Sequence, residues 1–254
     1  MPRHPARAFP ARGGRGYAVS RMATFGLVHG AGHGAWCWER LIPILEAFGH
    51  RVFAMDLPCE DPTAGAARYA EVVDRAMPAA SDLVLVGHSL AGLTIPLVAA
   101  RRPVWRLVFL CALIPEFGRS LADQVAADPD LYHPVLRSHP GRVTGPDGTI
   151  WFRDEAAARD VFFHDCTPED VHWAFAHLRP QAAAPRRERC PLTVWAPGEM
   201  AYILCREDRA ISPAWSRRAA RERLGVEPIE LDGSHSPFIS RPSALAGVLD
   251  RLAR

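Results

Sequence analysis

The hexapeptide Gly87-His88-Ser89-Leu90-Ala91-Gly92 stands between an apolar, β-branched run, Asp82 to Val86, and a stretch with helical spacing. A serine at so sharp a strand-to-helix turn is thrown outward at the head of a sheet, where its hydroxyl can attack a carbonyl. Ala91 occupies the last glycine place of the G-x-S-x-G pattern, a mild departure. A serine hydroxyl barely ionises near neutral pH, so it needs a base within hydrogen-bond reach and a third group to hold that base. On such a scaffold the partners follow in the order acid, then histidine, each after a later strand. His235, in Asp232-Gly233-Ser234-His235-Ser236-Pro237-Phe238, directly follows the last strand, Pro228 to Leu231. The acid belongs after the strand before it, Ala201 to Cys205, where Asp208 is the choice and Glu207 faces elsewhere. Asp232, three residues from His235, reads as turn support, and Glu116, beyond the Leu107 to Leu113 strand, is the rival acid. Negative charge developing on a carbonyl oxygen needs two fixed N–H donors. Leu90 offers one, and Ala31, in the loop His29-Gly30-Ala31-Gly32, offers the other, with Gly30 permitting close approach.

The elements that must position these residues alternate along the chain. Strands are expected at Thr24 to Val28, Arg51 to Met55, Asp82 to Val86, Leu107 to Leu110, Ala201 to Cys205 and Pro228 to Leu231. Helices are expected at Gly34 to Phe48, capped by Gly49; at Ala64 to Met77, stopped by Pro78; and at Leu90 to Ala100, bent at Pro96. Two more follow, Ser212 to Leu224 capped by Gly225, and Pro242 to Leu252. This alternation predicts an α/β fold with a mostly parallel central sheet and helices on both faces. The core is expected to comprise residues 23–114 and 192–254. Between them, residues 115–191 show short helical patterns, no convincing strand and many aromatics, as a mainly helical cap over the site would. Gly30 and His88 at the elbow, and Trp151, Phe152, Phe162 and Trp173 in the cap, are the expected substrate-binding residues. The aromatic content points to a small, apolar substrate.

Composition narrows the alternatives. A formal net charge of +2 gives no reason to expect nucleic acid or a membrane surface as partner. Every basic residue is arginine, so no lysine is available for a Schiff base or as a general base. Six cysteines without CxxC pairs read as reduced thiols of a cytoplasmic protein rather than a disulfide frame or zinc site. His164, Asp165, Cys166, His172 and His177 cluster in the cap, but their spacing fits no standard metal motif, and neither metal nor cofactor is expected. Residues 1–22 are arginine-rich and lack the apolar centre of a secretory signal, so they read as a disordered leader or a start assigned too far upstream. A monomer or homodimer acting on a small ester is the expected assembly.

The blocks Val28 to Trp38, Gly87 to Gly92, Tyr202 to Ile211 and Ser234 to Pro237 resemble the plant methylesterase and hydroxynitrile lyase branch of the α/β hydrolases, with its bacterial esterase relatives. The resemblance covers the chain from about Thr24 onward and is weakest in the cap. It implies the α/β-hydrolase fold, a Ser89–Asp208–His235 triad and an oxyanion hole at the amides of Ala31 and Leu90. In the same branch the lyases carry threonine at the position of Gly30 and lysine at that of Ser236, departures that favour ester hydrolysis over cyanide release. A lactonase, thioesterase or acyltransferase on the same triad remains open at this point, as do a cofactor-free lyase and a non-catalytic small-molecule receptor.

Overall fold

The computed structural model describes residues 22–254, so the expected leader lies, apart from its last residue, outside the described residues. In chain order the strands are β1 (Thr24–Val28), β2 (Arg51–Met55), β3 (Leu83–His88), β4 (Arg106–Leu110), β5 (Arg142–Thr144), β6 (Ile150–Phe152), β7 (Glu199–Cys205) and β8 (Ile229–Leu231). The core helices are α1 (Ile42–Ala47), α2 (Ala66–Ala76) and α3 (Ile95–Ala99), then, beyond the insertion, α9 (Pro213–Ala219), α10 (Pro237–Ser240) and α11 (Pro242–Leu252). The insertion contributes α4 (Leu121–Ala127), α5 (Pro134–Ser138), α6 (Glu155–Ala158), α7 (Pro168–His177) and α8 (Ala184–Arg187).

Six strands form one parallel sheet in the order β2-β1-β3-β4-β7-β8. Because successive side chains in a strand point to opposite faces, a sheet buried on both sides reads as continuous apolar sequence. β3 shows this directly. Leu83 and Leu85 pack with Tyr69 and Val73 of α2 and Ile95 and Val98 of α3. Val84 and Val86 face the opposite core, with Trp38, Leu41, Leu45 and, from α11, Leu245 and Leu249. The chain steps one way from β1 to β2, then crosses back to β3 and on to β8. That reversal opens a crevice at the carboxyl ends of β1 and β3, the place where open α/β sheets bind ligands.

Two expected helices are broken, and proline explains both breaks. Gly34 to Phe48 is a 3-10 turn, Ala35–Trp38, followed by α1, whose first turn holds Pro43. Leu90 to Ala100 is likewise a 3-10 turn, Ser89–Leu93, followed by α3 with Pro96 in its first turn. Proline has no N–H to donate, so it starts a helix more readily than it continues one. The insertion also holds a hairpin that the sequence did not betray, with Arg142 paired to Phe152 and Thr144 to Ile150. Three-residue strands are too short to display a period, although Pro146-Asp147-Gly148 carries turn chemistry, with Asp147 accepting from the Thr149 amide at 2.9 Å. The insertion is tied to the core by backbone bonds from Arg179 to Gly32 (2.8 Å), Ala182 to Cys59 (2.7 Å) and His133 to Ala210 (3.0 Å).

The elbow itself is wedged against the end of β4. Leu113 N–H donates to Ser89 O at 3.0 Å, and a Cβ added at Gly92 would stand 1.9 Å from the Leu113 carbonyl oxygen. Backbone cannot yield cheaply to such a contact. Gly92→Ala is therefore expected to destabilise the fold by about 2–3 kcal/mol and to lower Tm by roughly 5–10 °C in a thermal melt. An unchanged Tm would show that the elbow and the β4 exit are not packed this tightly.

Candidate active site

Ser89 begins the turn after β3 with φ of 54°, a left-handed conformation that costs a non-glycine residue strain and that clusters at functional sites. Its hydroxyl makes no hydrogen bond among the described residues, to His235 included. Gly30 lies against it, and a Cβ there would come within 2.8 Å of both Ser89 Cβ and His88 Nδ1. The amides of Ala31 and Leu90 have no backbone or side-chain acceptor among the described residues, and both residues flank Ser89 on one cavity wall. Leu90 is unpaired because the first amides of a helical turn have no preceding carbonyl to meet.

His235 and Asp208 are brought together across 27 residues. His235 Nδ1 donates to Asp208 Oδ2 at 2.8 Å, and Asp208 Oδ1 accepts from the amides of Ala210 (2.7 Å) and Ile211 (3.0 Å). Both side chains are buried. With Nδ1 donating, the lone pair of the neutral ring sits on Nε2. The loop carrying His235 is held to the elbow by His88, whose Nε2 donates to the His235 carbonyl at 3.0 Å and whose ring lies 4.6 Å from that of His235. Phe162 stacks on the other side of His235 at 5.4 Å. The rival acids are engaged elsewhere. Glu116 is shared between Arg119 and Arg223, and Asp232 is an exposed partner of Arg206.

A sequence profile described as the alpha/beta hydrolase family matches residues 27–248. The chain belongs to the alpha/beta hydrolase family. Among its curated relatives, salicylic acid-binding protein 2 of Nicotiana tabacum is 28% identical over 90% of the hydrolase and 96% of its own length. Putative methylesterase 14, chloroplastic, of Arabidopsis thaliana is 26% identical over 92% of the hydrolase and 72% of its own length. In structure the hydrolase resembles polyneuridine aldehyde esterase with TM-score 0.77 at 24% identity, covering 92% and 100% of the two chains. A pyrethroid hydrolase from Sphingobium faniae superposes with TM-score 0.71 at 24% identity, covering 91% and 97%.

Above Ser89 the hydrolase encloses a cavity of about 490 Å³. Ala31, Ser89, Leu90 and Leu113 form its floor, and Trp151, Phe152, Phe162 and Phe175 contribute aromatic walls. Of the expected substrate-binding residues, Trp151, Phe152 and Phe162 line this cavity. Three do not, and packing explains each. Trp173 is edge-on to Trp36 at 5.1 Å with Arg40 over its ring. His88 is fully enclosed by His33, Trp38, His235 and Phe238 and acts as a strut. Gly30 lies beneath the elbow, with Ala31 and Gly32 reaching the cavity in its place. The cap cluster does not converge either. His164 bonds the Glu207 carbonyl, Asp165 the Ser234 amide, His172 Glu155 and His177 the Trp173 carbonyl. The one converging His/Cys/Asp/Glu group among the described residues is Cys111, Asp208 and His235, with donor atoms within 4.8 Å of one another. Sequence reasoning missed the polar part of the wall, Arg142, Arg179, Gln181 and Arg186, because nothing in their spacing marks them as neighbours.

Two further imidazoles brace the Gly30–Gly32 loop, and both are neutral. His29 Nε2 accepts from the Leu57 amide (2.9 Å) while Nδ1 donates to the Gly30 carbonyl (2.9 Å). Burial lowers His29 to about 4 and His33 to about 3. In the unfolded chain both protonate near 6.5. Between pH 6.5 and 5 the unfolded state thus binds more protons than the folded one, and stability falls as pH falls. The slope approaches about 1.4 kcal/mol per pH unit for each imidazole. Burial lowers His88 in the same sense, so a thermal melt at pH 7.5 and at pH 5 reads the three buried imidazoles together. A Tm several degrees lower at pH 5 is expected, and equal values would show that these rings are not held neutral.

Proposed function

We propose that the chain is a serine carboxylesterase acting through a covalent acyl-enzyme, with Ser89 as nucleophile, His235 as base and Asp208 as the acid that orients it. The observations that carry this reading are a Ser89 on strained backbone, unpaired amides at Ala31 and Leu90 on the same cavity wall, and a buried His235–Asp208 pair whose loop His88 ties to the elbow. In acylation Ser89 Oγ bonds to the ester carbonyl carbon while His235 Nε2 takes the hydroxyl proton. The carbonyl oxygen, now carrying the charge, accepts from the amides of Ala31 and Leu90. The C–O bond to the alcohol then breaks, and the alcohol leaves with the proton from His235. Water repeats the sequence: His235 takes its proton, its oxygen bonds to the acyl carbon, and the carboxylic acid departs as Ser89 regains its hydrogen. Asp208 keeps Nδ1 protonated throughout, so Nε2 faces the chemistry as a base. Curated relatives and solved neighbours named as esterases support this reaction type.

Lyase chemistry finds less support. The residue after His235 is the neutral Ser236, whose hydroxyl is buried without a hydrogen-bond partner, where the lyase branch carries a cation. The space at Gly30, closed by Ser89 and His88, does not admit the lyase threonine without displacing the elbow.

Ser89→Ala is expected to abolish turnover of an aryl acetate with no change in Tm, and a fluorophosphonate probe to label Ser89 alone. Asp208→Asn is expected to cost about 10³–10⁴ in kcat, while Glu116→Gln stays within a few-fold because Glu116 pairs with Arg119 and Arg223 and makes no contact with His235. An active Ser89→Ala enzyme, or a larger loss in Glu116→Gln than in Asp208→Asn, would overturn the assignment.

A further inference from the structure

The polar groups that line the cavity above Ser89 are mostly satisfied from within the protein. Gln181 accepts from the Gly32 amide and donates to Tyr69 and to the Ala182 carbonyl. Arg179 donates to the His33 and Leu57 carbonyls and to Glu60. Thr149 bonds Asp147. What remains is unpaired. Arg142, on β5, has neither a hydrogen bond from its guanidinium nor an ion pair among the described residues. Arg186, on α8, donates only to the Gly148 carbonyl, and its Nε is buried with no acceptor. The Tyr132 hydroxyl also has no partner among the described residues. Tyr132, Arg142 and Arg186 lie together, since all three line the same two neighbouring cavities. They form the wall that the main cavity shares with a second cavity of about 400 Å³, reached also by Leu121, Val125 and Arg137.

Two half-buried guanidiniums side by side repel each other, and burial disfavours both charges. Elsewhere in this arginine-rich chain guanidiniums meet acids: the half-buried Arg223 meets Glu116, and the more exposed Arg40 and Arg217 meet Asp170 and Glu230. Within the cavity no carboxylate of the protein does this for Arg142 or Arg186. Guanidinium forks suit a carboxylate in particular, since each presents parallel N–H groups that match its two oxygens.

We propose that Arg142 and Arg186, with the Tyr132 hydroxyl, form an anion subsite, so that the preferred substrate is an ester whose apolar body ends in a carboxylate. The inference rests on the esterase reading for the end of the cavity that reacts. Phe152, Phe162 and Phe175 then cover the apolar body between that anionic end and the ester held at Ser89. Specificity comes from a group remote from the bond that breaks, so losing the subsite acts mainly on KM.

The test compares the monomethyl ester of octanedioic acid, which keeps a free carboxylate, with its neutral dimethyl diester. For the wild type, kcat/KM is expected to favour the monoanion by tenfold or more. Arg142→Gln and Arg186→Gln are each expected to shrink that preference at least tenfold through KM, and Arg142→Lys to restore part of it. Arg153→Gln, exposed and outside the cavity, is expected to leave the preference intact. A wild-type ratio near one, or a ratio that both glutamine variants leave unchanged, overturns the subsite. Calorimetric titration of octanedioate into Ser89→Ala separates the two readings. If neither ester is turned over, the esterase reading fails, and the titration alone judges the subsite. Heat that disappears in Ser89→Ala/Arg142→Gln upholds the subsite, and no heat in either protein overturns it.

Discussion

Burying a carboxylate costs several kcal/mol unless each oxygen meets a donor, and Asp208 meets three. The amides of Ala210 and Ile211 hold one oxygen, and His235 Nδ1 holds the other. The first two donors belong to the turn that leaves β7, and the third to the loop that leaves β8. This one carboxylate therefore joins two strand ends and fixes which nitrogen of His235 carries the hydrogen. Remove it and the imidazole loses both its tautomer and its orientation, while two buried amides lose their acceptor.

Around that link the protein uses histidine as a neutral strut rather than as a charge. His29, His33 and His88 are buried, and burial pushes each well below the ordinary imidazole range. His29 accepts from the Leu57 amide and donates to the Gly30 carbonyl, which stiffens the loop that presents Ala31. His88 donates to the His235 carbonyl and ties the elbow to the loop that carries His235. A neutral imidazole can accept at one nitrogen and donate at the other, a pairing that neither lysine nor a carboxylate provides. Four histidines thus lie within one small volume with only His235 paired to an acid.

The cavity has two unlike ends. Its floor is parallel-sheet structure, where the position of Ser89 is set by the strained elbow and its wedge against Leu113. Its far wall comes from the insertion, whose hairpin, π-helical turn at Arg159–Phe163 and short helices supply aromatics and guanidiniums. The floor is over-determined by backbone contacts, and the wall is side chains on short elements.

The sequence by itself determined the parallel α/β sheet, because strands buried on both faces must be continuously apolar and helices between them must be amphipathic. It also singled out Ser89, Asp208 and His235, since each follows a strand whose end the alternation locates. Glu116 remained a rival only because a linear order cannot show that Arg119 and Arg223 already engage it. Local chemistry misled where Pro96 was read as a bend rather than a start, in the turn before α3, and where Pro43 was passed over in the turn before α1. The insertion was illegible for a different reason. Three-residue strands and four-residue helices carry no period, and Trp173 looks no different from Phe162 until packing turns one toward Trp36 and the other toward His235. Only the tertiary structure could bring Arg142 and Arg186, forty-four residues apart, to one wall without a carboxylate between them. Contacts between distant residues are set by how the insertion closes over the sheet, and no local pattern encodes that closure.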